Sequence, residues 1–537
     1  MAAQRIPCKV IIVGGSIAGL SLANMLERFG IEFVVLEAYK EIAPQVGASI
    51  AIYPHFARIL DQIGCWVRNL VDKTVNHGFY RNEEGECIFD FRGLADGLER
   101  RHGYPVIFIE RQMLLKALYE NLQSKEKVFL EKRFVQMEHK EDGVRVTMQD
   151  GSSYEGDILI GADGMHSSVR KSMHKFGKSV SPKSFDHDEY SKVPCTYKCI
   201  FGMSYPTKGI EGGTNHIVMG EGHSYLILTG PGKTYWFLQV KNSETTYGKG
   251  VPNYTVEDER RLAESHFEDR LNEYDTFGDL YRNKIISRLT PLHEYQWKRW
   301  YFGRVMTIGD ASHKLHPISG NGGAAAIEDA AVLVNALLSK LGQSPGHLST
   351  NDFQDIFSKA QHDQENRTAH LIDHATKMQD FDAMESIFAP LIVRFVIPNL
   401  TDDAALAIVG ANTVQGQRIK YLPVPKRDRY VPYEDELPVK PLNIYHIDKL
   451  FSMNLHALLF YLAYSSSSFS QHLTRSLSVM ILDPYLNIIA EYFVPTIRES
   501  GDHHENSSYS TLSSILLILM WNIEGHRRGN MASLGSW

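Results

Sequence analysis

A mixed α/β fold with an inserted β-rich layer and a helical, hydrophobic C-terminal extension is what this sequence predicts. Three observations carry the prediction. Residues 9–37 run as apolar strand, glycine turn, amphipathic helix and second apolar strand. Two further apolar runs, Ile158-Leu159-Ile160 and Val305 to Ile308, end in Gly161-Ala162-Asp163-Gly164 and Gly309-Asp310. Beyond residue 385 the chain turns Pro-rich and then uncharged over long stretches. At 537 residues it is too long for one small domain. The expected division is a discontinuous nucleotide-binding domain at 1–180 and 285–385, a β-rich layer at 181–284, and a helical region at 386–537.

The elements follow in order. Lys9 to Val13 reads as a buried strand leading into Gly14-Gly15-Ser16-Ile17-Ala18-Gly19. Leu20, Leu22, Ala23, Met25 and Leu26 continue as a helix that stops at Gly30, and Phe33 to Leu36 ends at Glu37. This is the βαβ unit of a Rossmann-type sheet. Val106 to Ile109 predicts a strand, and Leu114, Leu115, Leu118 and Leu122 one side of a helix. Residues 128–160 predict hairpins, with turns at Glu141-Asp142-Gly143 and Asp150-Gly151. Residues 180–300 are strand-rich and aromatic, as in Tyr225 to Leu228 and Tyr235 to Val240, which suits a substrate layer. An Ala-rich helix spans about Ala324 to Leu338.

Composition narrows the function. Hydrophobic residues at 43% and charged residues at 22% match an ordinary globular chain, and a net charge of −7 argues against a nucleic-acid partner. Five scattered cysteines argue against a disulfide framework and for reducing surroundings. Cys195 and Cys199 lack a second metal-like pair, so no metal site is expected from them. The apolar run Val10 to Val13 is too short for a secretory segment.

The glycine turn is built for a pyrophosphate. Gly14 allows the tight turn, Gly15 and Ser16 keep it narrow, and Gly19 lets the helix approach the strand. The helix N-terminus then offers free N–H groups and a positive dipole. Glu37, 18 residues after Gly19, can accept from both ribose hydroxyls. An acid there disfavours a 2′-phosphate, which leaves FAD or NAD.

Two later motifs separate these. Gly161-Ala162-Asp163-Gly164 followed by Ser168-Val169-Arg170, and Gly309-Asp310-Ala311-Ser312-His313 followed by Pro317, Gly320-Asn321-Gly322-Gly323 and Glu328-Asp329-Ala330, resemble the DG and GD fingerprints of flavoprotein hydroxylases. Over residues 8–340 the chain is similar to the class A flavin monooxygenases, such as p-hydroxybenzoate and salicylate hydroxylases. Its Gly-Gly-Ser-Ile-Ala-Gly-Leu and Pro-Ile-Ser-Gly-Asn-Gly-Gly segments most resemble fungal enzymes that epoxidise prenyl chains of meroterpenoids and indole-diterpenes. The resemblance implies FAD as cofactor, NAD(P)H as transient reductant, and O2 as the source of one transferred oxygen atom. It implies that Arg111 contacts FAD and that Gly47 and Ala51 pass the flavin. Asp310 then accepts from the ribityl hydroxyls, Gly322 and Gly323 present backbone N–H groups to the flavin edge, and Asp163 organises the loop beside the cofactor. His313 and His316 read as loop packing rather than metal ligands. Tyr225 and Lys198, in the strand-rich middle, are the candidate catalytic side chains facing substrate.

Three functions stay open on the sequence: prenyl epoxidation, ring hydroxylation of a phenol or salicylate, and flavin binding without turnover. The first needs only an apolar tunnel, and no acid–base pair stands out in residues 180–300. Residues 450–474 and 506–523 contain no Asp, Glu, Lys or Arg, and His526-Arg527-Arg528 follows the second. They predict a membrane-associated enzyme with its catalytic part facing the cytosol; the alternative is a cytoplasmic soluble protein whose tail packs in its own core.

Overall fold

The computed structural model describes residues 6–44, 49–71, 73–186, 188–343, 346–387 and 389–437. A six-stranded sheet lies at its centre, in the order Tyr301–Phe302, Val305–Thr307, Ile158–Gly161, Ile6–Val13, Ile31–Leu36, Val128–Phe129. All neighbours pair in parallel except the Tyr301–Phe302 edge. A parallel sheet is covered on both faces, so its strands read as unbroken apolar runs. Val10 and Ile12 pack toward the Ile17–Arg28 and Gly322–Gln343 helices. Ile11 and Val13 pack toward the Ser168–Val180 helix and an antiparallel sheet of Phe134–His139, Val144–Met148 and Ser153–Gly156.

The second sheet has seven strands, in the order Lys284–Leu292, Pro194–Ser204, Lys233–Tyr247, His223–Gly230, Thr214–Gly220, His77–Arg81, Cys87–Arg92. It is antiparallel apart from the pairing of Thr214–Gly220 with His77–Arg81. Its strands therefore come from 77–92 and 284–292 as well as from within 181–284. Both faces are covered. One packs with the Thr350–Asp382 helix and the 397–406 region, the other with the Val256–Glu264 and Phe277–Arg282 helices. Side chains alternate between faces along each strand, so one face serves the site and the other does not.

Helix Thr350–Asp382 begins with a reciprocal capping box between Ser349 and Asp352. Buried Arg367 and Gln364 on it reach Glu328 of the Gly322–Gln343 helix. After the short helix Asp402–Gly410 the chain runs largely extended to residue 437. This strap is tied to the first sheet's helices. Gln62 exchanges hydrogen bonds with Ile419, and Asn335 holds Arg418 and Lys420. Arg58, fully buried, donates to Asp435 and Glu436 and lies 4.0 Å over the Tyr433 ring. The expected helical region is thus only partly helical over 386–437. No helix among the described residues is long and apolar enough to cross a membrane. Segments 450–474 and 506–523 lie outside the described residues, and nothing described supports a membrane anchor.

Candidate functional site

The glycine turn forms where the central strand meets its helix. Gly14 has φ +108°, and a Cβ there would overlap the carbonyl of Ala162 on the neighbouring strand end. A Cβ on Gly19 would overlap the Gly14 carbonyl, so turn and helix touch through backbone. Gly15 donates its N–H to Glu37 at 2.5 Å and Tyr39 donates to the other Glu37 oxygen at 2.9 Å. The Glu37 carboxylate thus pins the turn to the second strand while lining the open cleft. Ser16, the N-cap, makes no capping bond; its hydroxyl accepts from Arg111 at 2.5 Å. No acidic residue occupies the first turn of the helix, so its leading N–H groups remain free for an anion. Burial pushes the Arg111 guanidinium down from its usual value, and Asp310 and Glu37 act against that.

Asp310 stands across the cleft. Its carboxylate is 43% exposed to the cavity and accepts from Lys314 at 2.6 Å. Burial pushes this carboxyl up, but Lys314, His313 and Arg111 outweigh it and hold it below the usual value. Buried Asp329 accepts from Gly309 N–H and from His313, both at 2.7 Å, which fixes the loop that aims Asp310. His313 and His316 are packed in that loop. Gly320 has φ +64°, and a Cβ there would come within 2.9 Å of the Ala51 methyl. Gly322 opens the 22-residue helix with empty space where a side chain would be, whereas a Cβ on Gly323 would press on Ile50. Asp163 caps the Ser168–Val180 helix, accepting from Ser167 Oγ and from the N–H groups of Ser168 and Val169. Gly47 lies outside the described residues.

These parts surround one cavity of about 820 Å³, in the upper range for small-molecule sites. Gly14, Ser16, Glu37, Ala51, Arg111, Asp163, Asp310, Gly322 and Gly323 all line it. The same cavity runs along the second sheet, where Phe201, Ile217, Leu226, Leu228, Phe237 and Leu292 face it. Polar groups on that stretch are Tyr80, Asn215 and Thr290.

Tyr225 and Lys198 do not reach it. Tyr225 lies between Leu226 and Ser224 on the opposite face, donating to Asp269 at 2.6 Å within the outer core cluster. Lys198 shares the parity of Ile200, which belongs to that same outer cluster, while Tyr197, Cys199 and Phe201 pack toward the cavity side. Both expected catalytic roles are corrected on this ground. Sequence reasoning missed Tyr53, Tyr80, His293 and Lys314 in the lining. Only Lys314 carried a signal, four residues after Asp310.

A glycine turn under a helix N-terminus, an acid on the second strand and a second acid across the cleft define a dinucleotide-binding oxidoreductase. The FAD binding domain family matches residues 7–186 and 222–350. FAD-dependent monooxygenase andE of Emericella variicolor is 36% identical over 423 residues, 78% of this chain and 89% of that one. FAD-dependent monooxygenase spyC of Aspergillus fumigatus is 34% identical over 429 residues, with the same coverage. In fold the chain is similar to a variant of Klebsiella pneumoniae HpxO complexed with FAD, at TM-score 0.61 and 24% identity over 76% of this chain and 98% of that one. The chain belongs to the FAD-dependent monooxygenases of the FAD binding domain family.

Proposed function

We propose that the protein is an FAD- and NAD(P)H-dependent monooxygenase that epoxidises an alkene of an apolar, prenyl-bearing substrate. The observation that carries the proposal is the wall of the cavity on the second sheet. Apart from the Tyr80 hydroxyl, Asn215 and Thr290 it is aliphatic and aromatic, and the sheet places no carboxylate, lysine or arginine on it. A phenol would need a base or a positive neighbour to become phenolate; an alkene needs only water exclusion and placement. His293, at the edge of this wall, is pushed down to about 4 by burial, by Lys314 and by His166, which makes it a poor base near neutrality. Burial likewise keeps the Tyr80 phenol protonated.

The residues present fit FAD. The first helix's free N–H groups and Arg111 suit the pyrophosphate, Glu37 the adenosine ribose, and Asp310 the ribityl hydroxyls. The void at Gly322 and the N-terminus of its helix suit the electron-rich edge of the ring system, with Ala51 and Gly320 keeping the passage narrow. Bound there, the flavin supplies the redox chemistry that activates O2. The chain's own work is to hold the substrate alkene along the Phe201–Phe237 wall and keep water out. NADH or NADPH is the expected electron donor, visiting without a second nucleotide-binding fold among the described residues.

The test is turnover under labelled dioxygen with a panel of prenylated and phenolic substrates. One labelled atom in an oxirane supports epoxidation. Label in a ring hydroxyl replaces it with aromatic hydroxylation, and the absence of both labelled product and NAD(P)H oxidation leaves flavin binding alone.

A further inference from the structure

The outer face of the second sheet carries a cluster that the cavity does not use. His223 and Tyr225 stand on the His223–Gly230 strand; His266 and Asp269 follow the Val256–Glu264 helix. Tyr225 donates to Asp269 Oδ2 at 2.6 Å, His266 Nδ1 lies 2.7 Å from that oxygen, and His223 Nε2 lies 3.3 Å from it. The ligand atoms of His223, His266 and Asp269 are all within 4.8 Å of one another, the one such group among the described residues. Their side chains are 12%, 15% and 27% exposed, shielded yet reachable from solvent.

The hydrogen-bond inventory of His223 points to what belongs there. Its Nδ1 lies 3.1 Å from the Glu221 carbonyl oxygen. A carbonyl only accepts, so Nδ1 carries the proton. Its Nε2 then faces a carboxylate oxygen that has only lone pairs to offer, a contact that calls for positive charge between the two atoms. A cation there would also reach His266 Nδ1, which lies against the same oxygen. Histidines that ligate metals are fixed in this way, with the other ring nitrogen donating to a carbonyl or carboxylate.

We propose that His223 Nε2, His266 Nδ1 and the Asp269 carboxylate bind one divalent cation of the Zn2+ class. Two imidazoles and a carboxylate are a donor set for zinc or its borderline neighbours, not for calcium or magnesium, which take oxygen. The Tyr225 phenol, hydrogen-bonded to Asp269, stands beside these ligands. The ion ties the sheet to the helical cover on its outer face. Because Leu226 and Leu228 of the same strand line the cavity, it also stiffens the substrate wall from behind.

The experiment uses the full-length, FAD-loaded protein, stripped with a chelator and titrated with ZnCl2 by calorimetry, with metal content and unfolding temperature measured alongside. One Zn2+ per chain and a raised unfolding temperature are expected. His266→Ala and Asp269→Asn should each weaken that binding at least about tenfold while the flavin spectrum stays unchanged. Asp269→Asn keeps the residue's size and serves if His266→Ala does not fold. His503→Ala/His504→Ala, in the tail, should leave binding intact. No stoichiometric Zn2+ uptake, or uptake that survives both cluster variants, overturns the proposal; the cluster is then a protonated His223 held by a carboxylate.

Discussion

Gly14 and Gly322 both line the cavity, but for different reasons. At Gly14 the backbone is left-handed and a methyl group would strike the Ala162 carbonyl. Gly14→Ala is therefore expected to destabilise the fold by about 3 kcal/mol or more, a strain that no ligand relieves. At Gly322 a methyl group meets nothing. Gly322→Ala should fold and unfold as the parent does, yet bind FAD more weakly, because the space it fills is the one proposed for the cofactor. Thermal unfolding of the flavin-free forms beside FAD titration separates the two; equal behaviour of both variants would count against this placement of the ring system. Asp310→Asn should lower FAD affinity by roughly 1.5–3 kcal/mol, about ten- to a hundredfold, as a charged acceptor becomes a neutral one. The Asp310 carboxyl is held below its usual value of 3.8, so its contribution is complete above that pH and fades only as pH falls through the lower value. FAD retention followed from pH 7 to 4 should thus owe no loss to this residue.

At the scale of elements, the strap over 411–437 lies on the nucleotide-binding domain rather than trailing from it. Arg58 is fully buried and answers two carboxylates of the strap. Arg58→Met should loosen it and cost about 3 kcal/mol, since Asp435 and Glu436 lose their buried partner. A chain ending at 437 should keep its flavin, and one ending at 410 should lose most of it; flavin absorbance after gel filtration checks both. Sequence periodicity showed the βαβ unit, the hairpins of 128–160 and the long helix from Gly322, because each has a strong local signature. Tyr225 was misplaced for a physical reason. The His223–Gly230 strand is buried on both faces, so its apolar residues do not alternate with polar ones and give no clue to which side faces the site. Tyr80 escaped because His77–Arg81 is short and partly polar, and its hairpin with Cys87–Arg92 meets the rest of the sheet only through Thr214–Gly220.

At the scale of the whole molecule, the interior holds many neutral histidines. Burial pushes His102 and His293 down to about 4 and His216 and His316 to about 3, and it also lowers His55. Each has a ring nitrogen with no partner to receive a second proton. In the unfolded chain these rings titrate near 6.5. As pH falls from 6.5 toward 4 the unfolded state takes up protons that the folded state refuses, at about 1.4 kcal/mol per pH unit for each proton of difference. Asp382, raised to about 7 by burial, opposes one of them over the same interval. Calorimetric unfolding should therefore show a melting temperature that falls steadily below pH 6.5; a flat profile down to pH 5 would mean that these rings are solvated or paired.

The shared cavity couples two binding equilibria. Because the glycine-turn cleft and the apolar wall of the second sheet bound the same space, the proposed cofactor and substrate positions adjoin within it. Each ligand then covers surface that the other leaves wet. By reciprocity, the factor by which substrate tightens the hold on FAD equals the factor by which FAD tightens the hold on substrate. An apolar substrate analogue should lower the Kd for FAD, and the flavin-free protein should bind that analogue more weakly by the same factor.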